Sequence, residues 1–179
     1  MGVLTSGQVS VEEYLSNPAY EHCEYVGGRP MELYVGHKKH VRIQGRCFRK
    51  LDEYFDNRPG GYVGTELHCR VKIGGELHFR LPDVSVVLGG RFSEDGYLEG
   101  APDLAVEILS PEDTISQQMR KIEEYFANGT KLAWLILPPE RSVLVLVPGS
   151  PLRTVVSGEN LTGGDLLPDL NFPVDYLFS

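Results

Sequence analysis

The chain has little cysteine: Cys23, Cys47 and Cys69 are the only three in 179 residues. An odd count with no CxxC pair excludes a disulfide framework and a structural zinc site, and points to a reduced, cytoplasmic protein. Long apolar runs are absent too. The stretch 104–109 is broken by one charge, and a spanning helix needs ~20 apolar residues, so no membrane association is expected. No basic segment followed by an apolar stretch opens the chain, so secretion is not expected. Met1-Gly2 with Ser6 meets only the loose myristoylation pattern. There is no GxxxxGK[ST], no GxGxxG after a strand, no GxSxG and no HExxH. ATP hydrolysis, dinucleotide binding, serine hydrolysis and zinc proteolysis therefore have no support. Without repeats, low-complexity tracts or a linker, residues 1–179 read as a single domain.

What is present is a globular composition. Hydrophobic residues make up 41% and aromatics 9%, enough for a buried core and against disorder. Lys and Arg number 17 against 25 Asp and Glu, a net charge of -8. The charge is unevenly spread. Lys38, Lys39, Arg42, Arg46, Arg49 and Lys50 fall in one acid-free stretch, which leaves 11 basic residues against 25 acidic ones elsewhere.

The hydrophobic pattern predicts a short helix over 10–20 with Ser10 as cap. Strands follow over 22–26 and 30–35, around Gly27-Gly28. Residues 37–56 read as a long helix with Val41, Cys47, Phe48, Leu51, Tyr54 and Phe55 on its apolar stripe, and Gly45 suggests a close neighbour. Strands are predicted over 62–66, 69–73, 76–80, 84–88 and 104–109. Ser110-Pro111 reads as the start of a second long helix running to Asn128, with Ile115, Met119, Ile122 and Phe126 as its core stripe. Strands over 132–137 and 143–147 come next. The class is α/β or α+β with a mixed sheet.

Glu107 is the anomaly. It lies inside Leu104-Ala105-Val106-Glu107-Ile108-Leu109, a run apolar enough to be buried on both faces. A buried carboxylate costs several kcal/mol unless it is paired, protonated or bound to a cation. Asp83 heads the neighbouring apolar run, and Asp103 shares the side of Glu107 by strand period. Two converging carboxylates with a basic group suit a hard cation such as Mg²⁺ or Mn²⁺. Lys121, on the helix after the Glu107 strand, can fold back to supply that basic group. The plainer reading is a structural ion pair between Glu107 and Arg80 or Arg120.

These residues carry a resemblance. Arg80-Leu81-Pro82-Asp83-Val84, then Pro102-Asp103-Leu104-Ala105-Val106-Glu107-Ile108-Leu109-Ser110-Pro111, then Lys121, Tyr125, Gly129 and Trp134 resemble the Uma family of restriction-endonuclease-like proteins, within the PD-(D/E)XK nuclease superfamily. Glu24-Tyr25 before Gly28, and His40, also fit. The resemblance implies a restriction-endonuclease-like core, a central mixed β-sheet flanked by helices, in the order helix, three strands, helix, strand. It makes Asp83 and Glu107 metal ligands, with the main-chain carbonyl of Ile108 completing the set. The superfamily lysine usually stands two residues after the acid, where this chain has Leu109; the family pattern moves it to Lys121. Glu24 and His40 are possible further site residues. Relatives tend to carry an acid before the Trp and another in the turn after it, where this chain has Ala133-Trp134 and Leu137-Pro138, which reads as a change at the site edge or in packing.

The expected activity is Mg²⁺- or Mn²⁺-dependent hydrolysis of DNA phosphodiesters by Asp83, Glu107 and Lys121. Arg42, Arg46 and Arg49 share one helical face and would contact the DNA backbone, or else form a solvated face. A homodimer is expected by analogy with duplex-cutting relatives. The alternatives are a non-catalytic nucleic-acid or protein-interaction module on the same fold, and a structural domain with a paired Glu107.

Overall fold

The structure, a computed structural model, describes residues 7–33 and 37–179. The loose myristoylation pattern and the end of the strand expected over 30–35 lie outside the described residues. The chain begins with α1 (Val11–Ser16), capped by the Ser10 hydroxyl, which accepts from the Glu13 amide. A 3₁₀ turn over Pro18–Tyr20 completes the segment. The hairpin β1 (Cys23–Val26) and β2 (Arg29–Glu32) closes through Gly27 and Gly28. Their φ values of 58° and 77° lie in the left-handed region that a two-residue hairpin turn demands. Then come α2 (Lys38–Phe55), β3 (Gly61–Gly64), β4 (Cys69–Ile73), β5 (Glu76–Arg80), β6 (Val84–Leu88), β7 (Leu98–Glu99) and β8 (Leu104–Ile108). After α3 (Ile115–Ala127) follow β9 (Leu132–Leu137), β10 (Ser142–Leu146), β11 (Arg153–Val155), β12 (Asn160–Gly163), β13 (Leu167–Pro173) and α4 (Asp175–Phe178).

The strands form more than one sheet. Six of them, in the order β11-β10-β9-β8-β6-β3, make a mixed sheet in which only β8 and β9 are parallel. Helix α3 is the crossover that a parallel pair requires. The first hairpin joins a separate five-stranded sheet, β2-β1-β5-β4-β7, and β12-β13 pair by themselves. The expected core order is thus present as α2, β3, β6, β8, α3 and β9, with β4-β5 diverted into the second sheet.

Strand period sorts β8 between two apolar layers. Leu104, Val106 and Ile108 join Ile43, Cys47 and Leu51 of α2, whereas Ala105 joins Ile122 and Tyr125 of α3. Glu107, odd in register with Ala105, goes to the α3 side. Each such Leu, Ile or Val side chain contributes about 1.5–3 kcal/mol on burial. Among the described residues no helix is long and apolar enough to cross a membrane.

Four local expectations change. Helix α3 starts at Ile115 with a Thr114–Gln117 capping box, not at Ser110, because Ser110 is drawn to His40 instead. The buried stripe of α2 is Ile43, Cys47 and Leu51, while Val41 is 55% exposed. The buried stripe of α3 is Gln118, Ile122 and Tyr125, and Ile115 is 46% exposed. Among the described residues, a Cβ on Gly45 would meet nothing within 4 Å, so no close neighbour there explains that glycine.

Candidate active site

Asp83 closes the short connection from β5 to β6. Val84 pairs with Val106, so the antiparallel register carries Asp83 across from Glu107. Its Oδ2 accepts from the Ile108 amide at 2.7 Å, and its Oδ1 lies 2.9 Å from His40 Nε2 on α2. Gln44, one turn on from His40, donates to the Asp83 carbonyl at 3.0 Å. His40 Nδ1 lies 3.3 Å from the Ser110 hydroxyl. Since N–H and C=O of one strand residue leave on the same side, the Ile108 carbonyl also faces the β6 edge.

Glu107 meets α3. Lys121 Nζ lies 2.9 Å from its Oε1 and 3.0 Å from its Oε2. The Tyr125 hydroxyl donates to Oε1 at 2.7 Å. Lys121 also reaches Glu24 Oε1 on β1 at 2.8 Å. The other Glu24 oxygen takes Arg80 Nη1 at 2.7 Å, and the Leu81 amide donates to Glu24 Oε1 at 3.1 Å. Arg80 uses its Nε and Nη2 on Glu124, the former at 2.8 Å. The Glu107–Arg80 and Glu107–Arg120 pairs considered from sequence are therefore replaced by Lys121 and Tyr125. Arg80 is engaged by two other acids.

Two carboxylates share one ammonium, and their proton affinities move apart. Burial works to raise Glu24, but Lys121 and Arg80 together hold it down at about 2. Burial pushes Glu107 up to about 7; Lys121 opposes this, while the charges of Asp83 and Glu24 add to it. Glu107 is thus the under-compensated member, with one cation where Glu24 has two. Lys121 is raised despite burial, because Glu107 and Glu24 both favour its charged form. Burial lowers His40, but its bond to Asp83 and that residue's charge raise it overall.

A cleft of about 550 Å³ opens onto Asp83, Glu107, Lys121, Glu24 and His40, between the first hairpin and α3. Among the described residues no group of three or more His, Cys, Asp and Glu converges to hold a metal by side chains alone. The donor set still fits a hard divalent cation. It offers carboxylate and main-chain oxygens with surplus negative charge, and Mg²⁺ commonly takes only one or two carboxylates, with water and substrate completing its shell.

The remaining sequence candidates lie elsewhere. Asp103 is taken by Arg91 at 2.8 Å and Lys131 at 3.0 Å, so it does not join Glu107. Arg42 and Arg49 are exposed on α2. Arg46 is committed to the C-terminal segment, donating to the Tyr176 carbonyl at 3.0 Å and the Ser179 hydroxyl at 2.9 Å. Trp134 is fully buried and stacks edge-on against Phe172, and Ala133 is core, so the departures there are packing. Sequence reasoning gave no site role to Tyr125, Glu124, Gln44 or Ser110. Tyr125 and Ser110 stand in the strings that carry the resemblance, Glu124 and Tyr125 follow Lys121 on one helix at a spacing of three and four, and Gln44 had no signal.

A family model described as "Putative restriction endonuclease" matches residues 11–175. Among solved structures, a "putative nuclease belonging to DUF820" from Anabaena variabilis is 26% identical, with a TM-score of 0.79 over 95% of this chain and 97% of that one. No curated protein matches. With the family pattern spanning the site-bearing elements from β1 to α3 and beyond, the chain belongs to the Uma2 family.

Proposed function

We propose that this protein is a metal-dependent endonuclease that hydrolyses DNA phosphodiester bonds. One observation carries the reading: Asp83 stands across the strand register from Glu107, whose carboxylate is held by the ammonium of Lys121. Asp83, Glu107 and the Ile108 carbonyl would hold Mg²⁺ or Mn²⁺. When bound, such an ion supplies Lewis-acid charge and a water of lowered pKa.

The chain's own groups do the rest. His40, Gln44 and the Ile108 amide orient Asp83. Tyr125 orients Glu107. Lys121, whose charged form Glu107 and Glu24 both favour, would orient or help deprotonate the attacking water and stabilise the charge that develops on phosphate. Arg42 and Arg49, with Arg46 beside them, would meet the DNA backbone. The three buried free cysteines suit a reduced cytoplasmic setting. A single-domain chain acting as a homodimer fits this work on duplexes.

A second reading is a non-catalytic nucleic-acid or protein-interaction module on the same fold. It is favoured by Lys121 already occupying both Glu107 oxygens. Calorimetric Mn²⁺ titration and plasmid nicking, on the native chain and Asp83→Ala, separate the two. The nuclease reading expects saturable Mn²⁺ binding and nicking, both lost in the variant. Metal binding that is unchanged in Asp83→Ala removes it. DNA binding without nicking under any divalent ion selects the module.

A further inference from the structure

Arg80 has no part in the reading above, yet its guanidinium makes three side-chain hydrogen bonds beside the site. Its side chain is 11% exposed. One edge of the guanidinium serves Glu24 and the other serves Glu124. We infer that Arg80 is a positioning residue: it fixes Glu24, and through Glu24 it holds Lys121 in the site when a cation takes Glu107. The inference rests on the proposed nuclease reading.

The geometry supports it in three ways. First, Lys121 is bonded to two acids at nearly equal distance, 2.8 Å to Glu24 and 2.9 Å to Glu107. A cation on Glu107 competes with the ammonium there, and among the described residues Glu24 is the other acid that holds Lys121 in place. Second, Glu24 has a rigid seat. Arg80, the last residue of β5, and the Leu81 amide just after it grip opposite oxygens, and the connection that starts there ends in Asp83. The segment that supplies the metal-binding acid therefore also locates the lysine. Third, the task needs a fork. A planar guanidinium bonds two carboxylates in fixed directions, whereas an ammonium is a point charge without that geometry. Glu124 lies three residues from Lys121 and next to Tyr125 on α3, so the bridge from Arg80 also ties that helix to β1.

A purely structural ion network would hold the same residues together but would not act through Lys121. The test uses Arg80→Lys, which keeps the charge and loses the fork, and Glu124→Gln, which removes one partner at the cleft side. Lys121 is read directly by amine acylation and mass spectrometry on the full chain, with exposed Lys131 as internal standard. Folding is checked by melting temperature. The expected result is at least fivefold faster labelling of Lys121 in both folded variants, with Lys131 unchanged and the Mn²⁺ Kd within twofold of native. Single-turnover nicking should fall at least tenfold, and Arg80→Lys should add no loss in a Lys121→Met background. Unchanged Lys121 labelling in both variants overturns the inference. So does an Mn²⁺ affinity loss large enough to account for the slower nicking. If the native chain fails to nick, the nuclease reading falls, while labelling still decides whether Arg80 positions Lys121.

Discussion

The ammonium of Lys121 lies 2.9 Å from Glu107 Oε1, joining a helix to the buried strand that precedes it. Around this contact Glu107, Glu24, Asp83 and the basic groups are balanced incompletely, and the imbalance has measurable consequences.

Removing the ammonium should expose the charges it covers. Lys121→Met leaves Glu107 and Glu24 with one fewer cation in a buried setting. A stability loss of about 3–5 kcal/mol is expected at pH 8, as for other broken buried pairs. Urea denaturation at pH 8 and pH 5 measures it. The loss should shrink at pH 5, where Glu107 can protonate. An equal loss at both values contradicts the assignment.

Neutralising Glu107 should separate stability from metal binding. In Glu107→Gln, Lys121 keeps Glu24, and the least compensated charge disappears. Stability at pH 8 should match or exceed native. Saturating Mn²⁺ stabilises a binding-competent protein by about 2.7 kcal/mol at one hundred times Kd. Thermal melts should show that gain in the native chain, its reversal by chelator, and none in the variant.

The pH dependence of stability has two arms with opposite signs. Glu24 is depressed to about 2, so its contribution is present above its unfolded pKa and is lost as pH falls toward 2. Glu107 is raised to about 7, and His40 is also raised. Their contributions are complete below their unfolded values and are lost as pH climbs through the folded ones. Metal-free protein should therefore be most stable in mildly acid buffer. Denaturation midpoints across pH 3–8 should fall on both sides, with Glu107→Gln flattening the neutral arm and Glu24→Gln the acid arm.

The basic face of α2 should divide by role. Arg42→Ala and Arg49→Ala should each lower the slope of log K against log salt for DNA by about one, with little change in stability. Arg46→Ala should also lower the melting temperature, because its guanidinium ties down Tyr176 and Ser179. Salt titrations of DNA binding beside melting curves will show whether the three differ in this way.

Much of the architecture was written in local pattern. The glycine-paired hairpins, the buried runs of β6, β8 and β9, and the stop after α3 follow from turn chemistry and hydrophobic spacing. The helix faces were misread where they approach the cleft. On α2 the inward stripe passes through His40 and Gln44, and on α3 through Gln118, Lys121 and Tyr125. A rule that seeks apolar stripes chose Val41 and Ile115, because it cannot see that polar residues turn inward to line a cleft. Ser110 likewise looks like a helix cap until His40 stands beside it.

By itself the amino-acid order determined that a carboxylate sits within a buried strand, that a second acid begins its neighbour, and that a lysine follows on the next helix. Covalent order and hydrophobic period suffice for that. Only the folded chain decided which groups answer the buried charge. Lys121 and Tyr125 reach Glu107, while Arg80 turns to Glu24 and Glu124, and Asp103 goes to Arg91 and Lys131. Ion pairing depends on distances of a few ångströms between residues far apart in sequence, and no local pattern encodes those.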